Sequence, residues 1–216
     1  MPHRAPPPPV PEHDLPYSVE LQRKAIHLLA LGIPAGMALL GNKRATLVLI
    51  PLALILFGAD ALRWRSEGFS RWIDRYFGWL MRGRERTRGR TIAINGATWV
   101  MIVATLLALL FPNRIAIFAL VIFLICDAVA AIVGRRFGRI RWPGSFRTME
   151  GTAAFVLAGL LIAVVYPGVN FWFGGLSVVS GAAAEIFRQP LNDNIRVPVA
   201  TALALYLLER LAATPP

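Results

Sequence analysis

Long apolar runs punctuated by short polar segments divide this chain, and their lengths predict a bundle of helices. Seven runs are rich in Ala, Leu, Ile, Val and Phe: Ala25 to Leu40, Ala45 to Leu62, Ile92 to Phe111, Ile115 to Val133, Thr152 to Tyr166, Val169 to Phe187 and Val197 to Leu211. A bilayer core about 30 Å thick takes about 20 helical residues rising about 1.5 Å each. The first and fifth runs are short by that measure, so six and eight are the neighbouring counts. No strand-like alternation and no internal repeat is visible. The pattern predicts an all-α, polytopic transmembrane bundle of about seven spans, one domain over residues 25–211 between tails at 1–24 and 212–216.

One polar stretch carries a helical stripe. Between the second and third runs, Phe69, Trp72, Ile73, Tyr76, Phe77 and Leu80 recur at spacings of three and four with arginines off the stripe. That pattern predicts an amphipathic helix over about residues 66–82 lying in the headgroup layer; packing on a soluble partner is the alternative.

Charge then orients the bundle. With seven spans, the amino-terminal side receives Arg23, Lys24, nine arginines from Arg63 to Arg90, five from Arg135 to Arg147, and Arg188 and Arg196. The other side receives Lys43, Arg44, Arg114 and Arg210. The positive-inside rule makes the amino-terminal side cytoplasmic. Composition agrees: 56% of residues are hydrophobic and 16% charged, too apolar a balance for an ordinary soluble domain. The net charge of +11 sits in short loops and forms no continuous basic face, which argues against nucleic acid. Cys126, the one cysteine, excludes an intrachain disulfide. The proline-rich beginning has no apolar core and reads as a mobile cytosolic tail.

Three polar clusters share the cytoplasmic side: Glu20 to His27, Cys126 to Thr152, and Glu185 to Pro198. Asp127 lies in the cytoplasmic part of an otherwise apolar run, where an ionised carboxylate costs several kcal/mol unless partnered, so it is a functional candidate; an ion pair with an arginine such as Arg135 or Arg136 is the structural alternative. Gly134 and Gly138 bracket Arg135 and Arg136, a combination that suits polyphosphate oxygens and also occurs at helix ends on membrane surfaces. Glu150, Glu185 and Asp193 add carboxylates, which beside a phosphate imply Mg²⁺; Glu150 alternatively sits at a helix start. Arg23 and His27 share a helical face and reach a common anion, or His27 is an interfacial histidine. No histidine pair has zinc-ligand spacing, and no phosphate loop, protein-kinase signature or GxSxG elbow occurs.

At these clusters the chain resembles the membrane family containing dolichol kinase, phytol kinase and CTP-dependent diacylglycerol kinase, related to phosphatidate cytidylyltransferases. An opening acidic, Arg-Lys, His pattern is matched by Glu20, Arg23, Lys24 and His27. The central pattern GDxxAxxxGxxFG followed by KTxEGS is matched by Asp127, Ala130, Gly134, Phe137, Gly138, Thr148, Glu150 and Gly151, and a late pattern by Glu185, Asp193, Asn194 and Pro198. Cys126, Arg147 and Thr152 stand where the family has glycine, lysine and serine.

The resemblance implies phosphoryl transfer from CTP to the hydroxyl of a membrane lipid alcohol: a polyprenol, phytol or diacylglycerol. It implies Arg23, Lys24, Arg135 and Arg147 on the triphosphate, with His27, Arg136, Thr148 and Asn194 beside them. Asp127, Glu150 and Asp193, with Glu185, are left for Mg²⁺ or the lipid proton. The rival readings are a cytidylyltransferase making a CDP-lipid and a non-catalytic protein that holds anionic lipid.

Overall fold

Helix ends fall where the apolar runs meet Asn, Thr, Gly and Pro. The computed structural model describes residues 17–77, 94–187 and 192–213. Eight helices are described: α1 Tyr17–Leu29, α2 Gly32–Arg65, α3 Glu67–Phe77, α4 Gly96–Leu110, α5 Asn113–Phe137, α6 Met149–Val165, α7 Phe171–Ile186 and α8 Asp193–Ala213. Asn95, Thr148 and Asn170 cap α4, α6 and α7 by accepting first-turn amides, which removes orphaned donors from the helix starts.

The first predicted run is split. Helix α1 begins at Tyr17, so the last eight residues of the expected tail are helical, and the chain turns at Ala30 and Leu31. Pro34 explains the turn: it has no N–H to offer Ala30, and Ile33 N donates to Ala30 O instead, at 2.9 Å. A second break comes inside α2 at Gly41, whose φ of 72° favours glycine. Helix α3 falls within the predicted 66–82 stretch, and residues 78–82 lie outside the described residues. Its Phe69 and Trp72 rings stack at 6.0 Å, and Trp72 and Tyr76 follow at 5.4 Å.

Helix α5 is the axis, packing against α1, α2, α4, α6 and α8. Phe118, Leu120, Ile122, Phe123 and Leu124 are fully buried along it. The outside is the reverse of a soluble protein's: Leu39, Leu47, Leu110, Leu161, Val165 and Trp172 are all more than two-thirds exposed. So broad an apolar surface suits hydrocarbon. Two helical stretches, Leu21–Arg65 and Asn113–Phe137, are long and apolar enough to cross a membrane, while α4, α6 and α7 are shorter apolar helices.

Small residues set the spacing between helices. A Cβ built at Gly159 of α6 would lie 2.4 Å from Val178 Cγ1 of α7. Gly159→Ala should therefore destabilise the protein by about 1–3 kcal/mol through overpacking, although alanine favours a helix by about 1 kcal/mol. A fall in the unfolding midpoint in detergent, reversed by adding Val178→Ala, is the expected result.

Candidate active site

Four segments remote in sequence bring charge to one end of the bundle. Lys24 and His27 lie one turn apart on α1 and face Asp127, which is 6% exposed on α5. Lys24 Nζ donates to Asp127 Oδ2, and His27 Nε2 stands 3.8 Å from the same oxygen. The His27 ring is held edge-on to Phe123, one turn back on α5, with centroids 5.0 Å apart. The other Asp127 oxygen lies 3.7 Å from Arg147 Nη2. Asp127 is thus paired with Lys24 and Arg147; Arg135 and Arg136 are not its partners.

Arg147 is the hub. Its Nη2 donates to Asp193 Oδ2 at 2.9 Å, and its Nη1 faces Glu185 Oε1 at 3.0 Å as an ion pair without hydrogen-bond geometry. Asp193 also accepts from Arg196, one turn along α8. Burial by itself would lower the Arg147 pKa; the carboxylates of Glu185, Asp127 and Asp193 overcome that and raise it, so the guanidinium stays charged.

A braced loop delivers Arg147. Arg141 and Thr148 form an antiparallel bridge, Met149 N donates to Ile140 O at 2.8 Å, and Trp142 N donates to Arg147 O at 3.0 Å. Glu150 holds the other end, accepting from Arg139 N at 2.9 Å and Ile140 N at 3.2 Å. Those backbone donors, its own amide among them, hold its carboxyl below the usual range. Thr148 caps α6 through Gly151 N, 3.1 Å away.

A cavity of about 530 Å³ opens beside this network. Arg23, Lys24, His27, Asp127, Arg147, Asp193 and Asn194, all anticipated from the sequence, line it; Glu185 stands behind Arg147. Gly134, Arg135, Arg136, Gly138, Thr148 and Glu150 do not line it. The two glycines let α5 meet α6: a Cβ at Gly134 would lie 2.9 Å from Thr148 Oγ1, and the Gly138 amide is already donated to Gly134 O. Arg136 lies over the Phe137 ring.

Asp60, Arg63, Asn95 and Gly96 also line the cavity, although the sequence did not single them out. Asp60 accepts from Asn95 N and Nδ2, both at 3.0 Å, and from Thr98 Oγ1 at 2.7 Å. The signal was present, since Asp60 is a carboxylate inside an apolar run. Deeper in the cavity the lining turns apolar, with Ala30, Ile33, Leu56, Val100 and Met101.

Among the described residues no group of three or more His, Cys, Asp and Glu side chains is arranged to hold a metal. A Mg²⁺ bound to a polyphosphate needs only one or two carboxylates, phosphate and water oxygens completing its shell. Asp127 and Asp193, both on the cavity wall, fit that requirement.

Glu185 is 3% exposed and Arg147 is its ion-pair partner, so Arg147→Met should cost about 3–5 kcal/mol by stranding a buried charge. Adding Glu185→Gln should recover part of that loss, as read from unfolding midpoints in detergent.

Comparison with known proteins gives relatives along most of the chain. The CTP-dependent diacylglycerol kinase 1 of Schizosaccharomyces pombe is 29% identical over 210 residues, covering 88% of this chain and 93% of that protein. The phytol kinase of Synechocystis is 36% identical over 86 residues, 36% of this chain and 37% of that one. The dolichol kinase of Saccharomyces cerevisiae is 46% identical over 39 residues, 18% of this chain and 8% of that one. No family model and no solved structure matches the chain. With kinase relatives along most of its length and the three sequence clusters gathered at one end of an apolar helical bundle, this chain is similar to the diacylglycerol, phytol and dolichol kinases.

Proposed function

We propose that this protein is a multi-pass membrane kinase that transfers the γ-phosphoryl group of CTP to the hydroxyl of a membrane lipid alcohol at the cytoplasmic face. The observation that carries the reading is the cavity itself. Cations and carboxylates from α1, α5, the Arg147 loop and α8 line one end, and apolar side chains line the depth. A water-soluble polyphosphate and a hydrocarbon chain need those two environments side by side.

Arg23, Lys24 and Arg147 receive the triphosphate, and Asn194, whose amide donates to Gly96 O at 3.4 Å, lines the same cavity. Arg147 suits this role because a planar guanidinium presents paired donors to phosphate oxygens. Asp127 holds the Lys24 ammonium in place, so the charge is positioned before nucleotide arrives. Mg²⁺ entering with CTP would be held by Asp127, with phosphate and water oxygens completing its shell, and would neutralise phosphate charge. The lipid oxygen attacks the γ-phosphorus, the bond to the β,γ-bridging oxygen breaks and CDP leaves. Asp193, the more exposed carboxylate, takes the hydroxyl proton. Glu150 supports the reaction by bracing the loop that carries Arg147. Phosphoryl transfer asks for this kind of positioning and charge neutralisation.

Purified protein in detergent, given Mg²⁺ and γ-labelled CTP or ATP with polyprenol, phytol or diacylglycerol, should move label from CTP to a lipid and release CDP. Pyrophosphate release with phosphatidate, and no labelled lipid, would replace the kinase by a cytidylyltransferase. Asp127→Asn should lower turnover by about 10²-fold or more while the protein stays monodisperse; full activity in that variant would remove Asp127 from the mechanism.

A further inference from the structure

We propose that the outward side of α3 is a binding site for an anionic phospholipid, with Arg71 and Arg75 taking the headgroup phosphate and Trp72 and Tyr76 seated beside them in the membrane interface. The site is independent of the reaction assigned to the cavity.

One flank of α3 is fixed to the bundle. Asp74 Oδ1 accepts from Arg63 Nη2 at 3.0 Å, and Asp74 Oδ2 accepts from the Ser70 hydroxyl at 3.4 Å. Ser70 is itself buried, and Ile73 reaches the cavity lining. At the start of the helix Ser66 Oγ accepts from Phe69 N at 3.3 Å, which holds the corner between α2 and α3. Residues four apart stand one above the other on a helix. With Ser70 and Asp74 turned inward, the next two rows round the helix are Arg71 with Arg75 and then Trp72 with Tyr76. Both rows are exposed, Trp72 at 53% and Tyr76 at 57%.

The charge on this side is unbalanced. Arg71, Arg75 and the neighbouring Arg65 at the end of α2 are exposed and have no ion-pair partner among the described residues. Asp74 is taken by Arg63, and Glu67, one turn before Arg71, makes no ion pair with it. An anion satisfies the guanidinium groups, which present paired donors to phosphate oxygens. A polyanion in water would leave the aromatic row wet, whereas Trp and Tyr rings beside basic residues suit the headgroup level of a bilayer. The position agrees: Leu62 and Trp64 carry the exposed apolar surface of α2 up to Ser66, where α3 begins. A zwitterionic headgroup returns a cation to the neighbourhood of the arginines, and an anionic one does not, so the site favours net negative lipid. A headgroup held there lies on the outer side of a helix whose Ile73 forms part of the cavity wall.

The test is to reconstitute the full chain in bilayers of equal phosphatidylcholine and phosphatidylglycerol, extract it in mild detergent and count the retained lipids by native mass spectrometry. A basic residue near a charged headgroup is worth about fivefold, so two should favour phosphatidylglycerol by roughly 20-fold. Arg71→Gln combined with Arg75→Gln should bring the ratio close to one without moving the unfolding midpoint, because both side chains are exposed and unpaired. Lys43→Gln combined with Arg44→Gln, an exposed basic pair just after the Gly41 break in α2, should leave most of the preference intact. Equal retention of the two lipids on the unaltered protein, a ratio that survives the Arg71 and Arg75 substitutions, or one that falls as far in the Lys43 and Arg44 variant would each overturn the site. Displacement of the lipid by inorganic phosphate would make it a free-anion site. A dimer that dissociates on substitution of Arg71 and Arg75 while lipid stays bound would make the face a contact between copies of the chain, and either result overturns the proposal.

Discussion

A carboxylate in the most enclosed helix of an apolar bundle has to be paired, and the arrangement around Asp127 follows from that demand. An unpartnered charge there would cost several kcal/mol. Lys24 answers from α1, which docks on α5, and Arg147 answers from the loop that joins α5 to α6. Arg147 in turn needs Glu185 of α7 and Asp193 of α8, so one buried charge ties five elements together. Stability alone does not account for keeping the set, because well-packed apolar residues in place of a buried ion network are often neutral or stabilising. A network that is costly to keep and opens on a cavity points to chemistry.

The cavity works as a boundary between two solvents. Moving inward along α1, α2 and α4, its lining changes from charged to apolar within one or two helical turns. An amphiphile placed there has its polar end located to within a few ångströms by the same gradient that holds it in a bilayer. Helix α3 closes part of that boundary. Ile73 reaches the cavity lining while Asp74 anchors Arg63, so a helix with an aromatic stripe is joined directly to the polar end of the chamber.

Much of this was legible because apolar runs, caps and charge asymmetry are local signals. The ends of α4 to α8 fall within a few residues of the runs that predicted them, and Lys24, His27, Asp127, Arg147 and Asp193 converge as their shared side implied. The misses have physical causes. The turn before α2 came from Pro34, one residue in a stretch whose average hydropathy is that of a continuous span. Asp60 and Arg63 were hidden by context, one counted as part of an apolar run and the other as one of many loop arginines. Only the fold places them in one cavity lining with Lys24, Asp127 and Arg147.

The Gly134 to Gly138 segment shows why a motif needs its position in a helix as well as its composition. Glycines with arginines suggest phosphate binding, since exposed amides and guanidinium groups both attract anions. Phosphate sites of that kind form at helix amino termini, where amides are free and the dipole is positive. Gly134 and Gly138 lie at the carboxy-terminal end of α5, where carbonyls are in excess, and the one amide in question is spent on Gly134 O. Four-residue spacing of small residues there allows close approach, and the approach is observed: Gly134 meets Thr148 and Gly151 at the start of α6. That contact sets where the loop between α5 and α6 begins and ends, and with the Glu150 brace it determines where Arg147 arrives. The segment contributes to the site through the geometry of the loop it anchors, and the guanidinium that lines the cavity, that of Arg147, sits at the loop's far end.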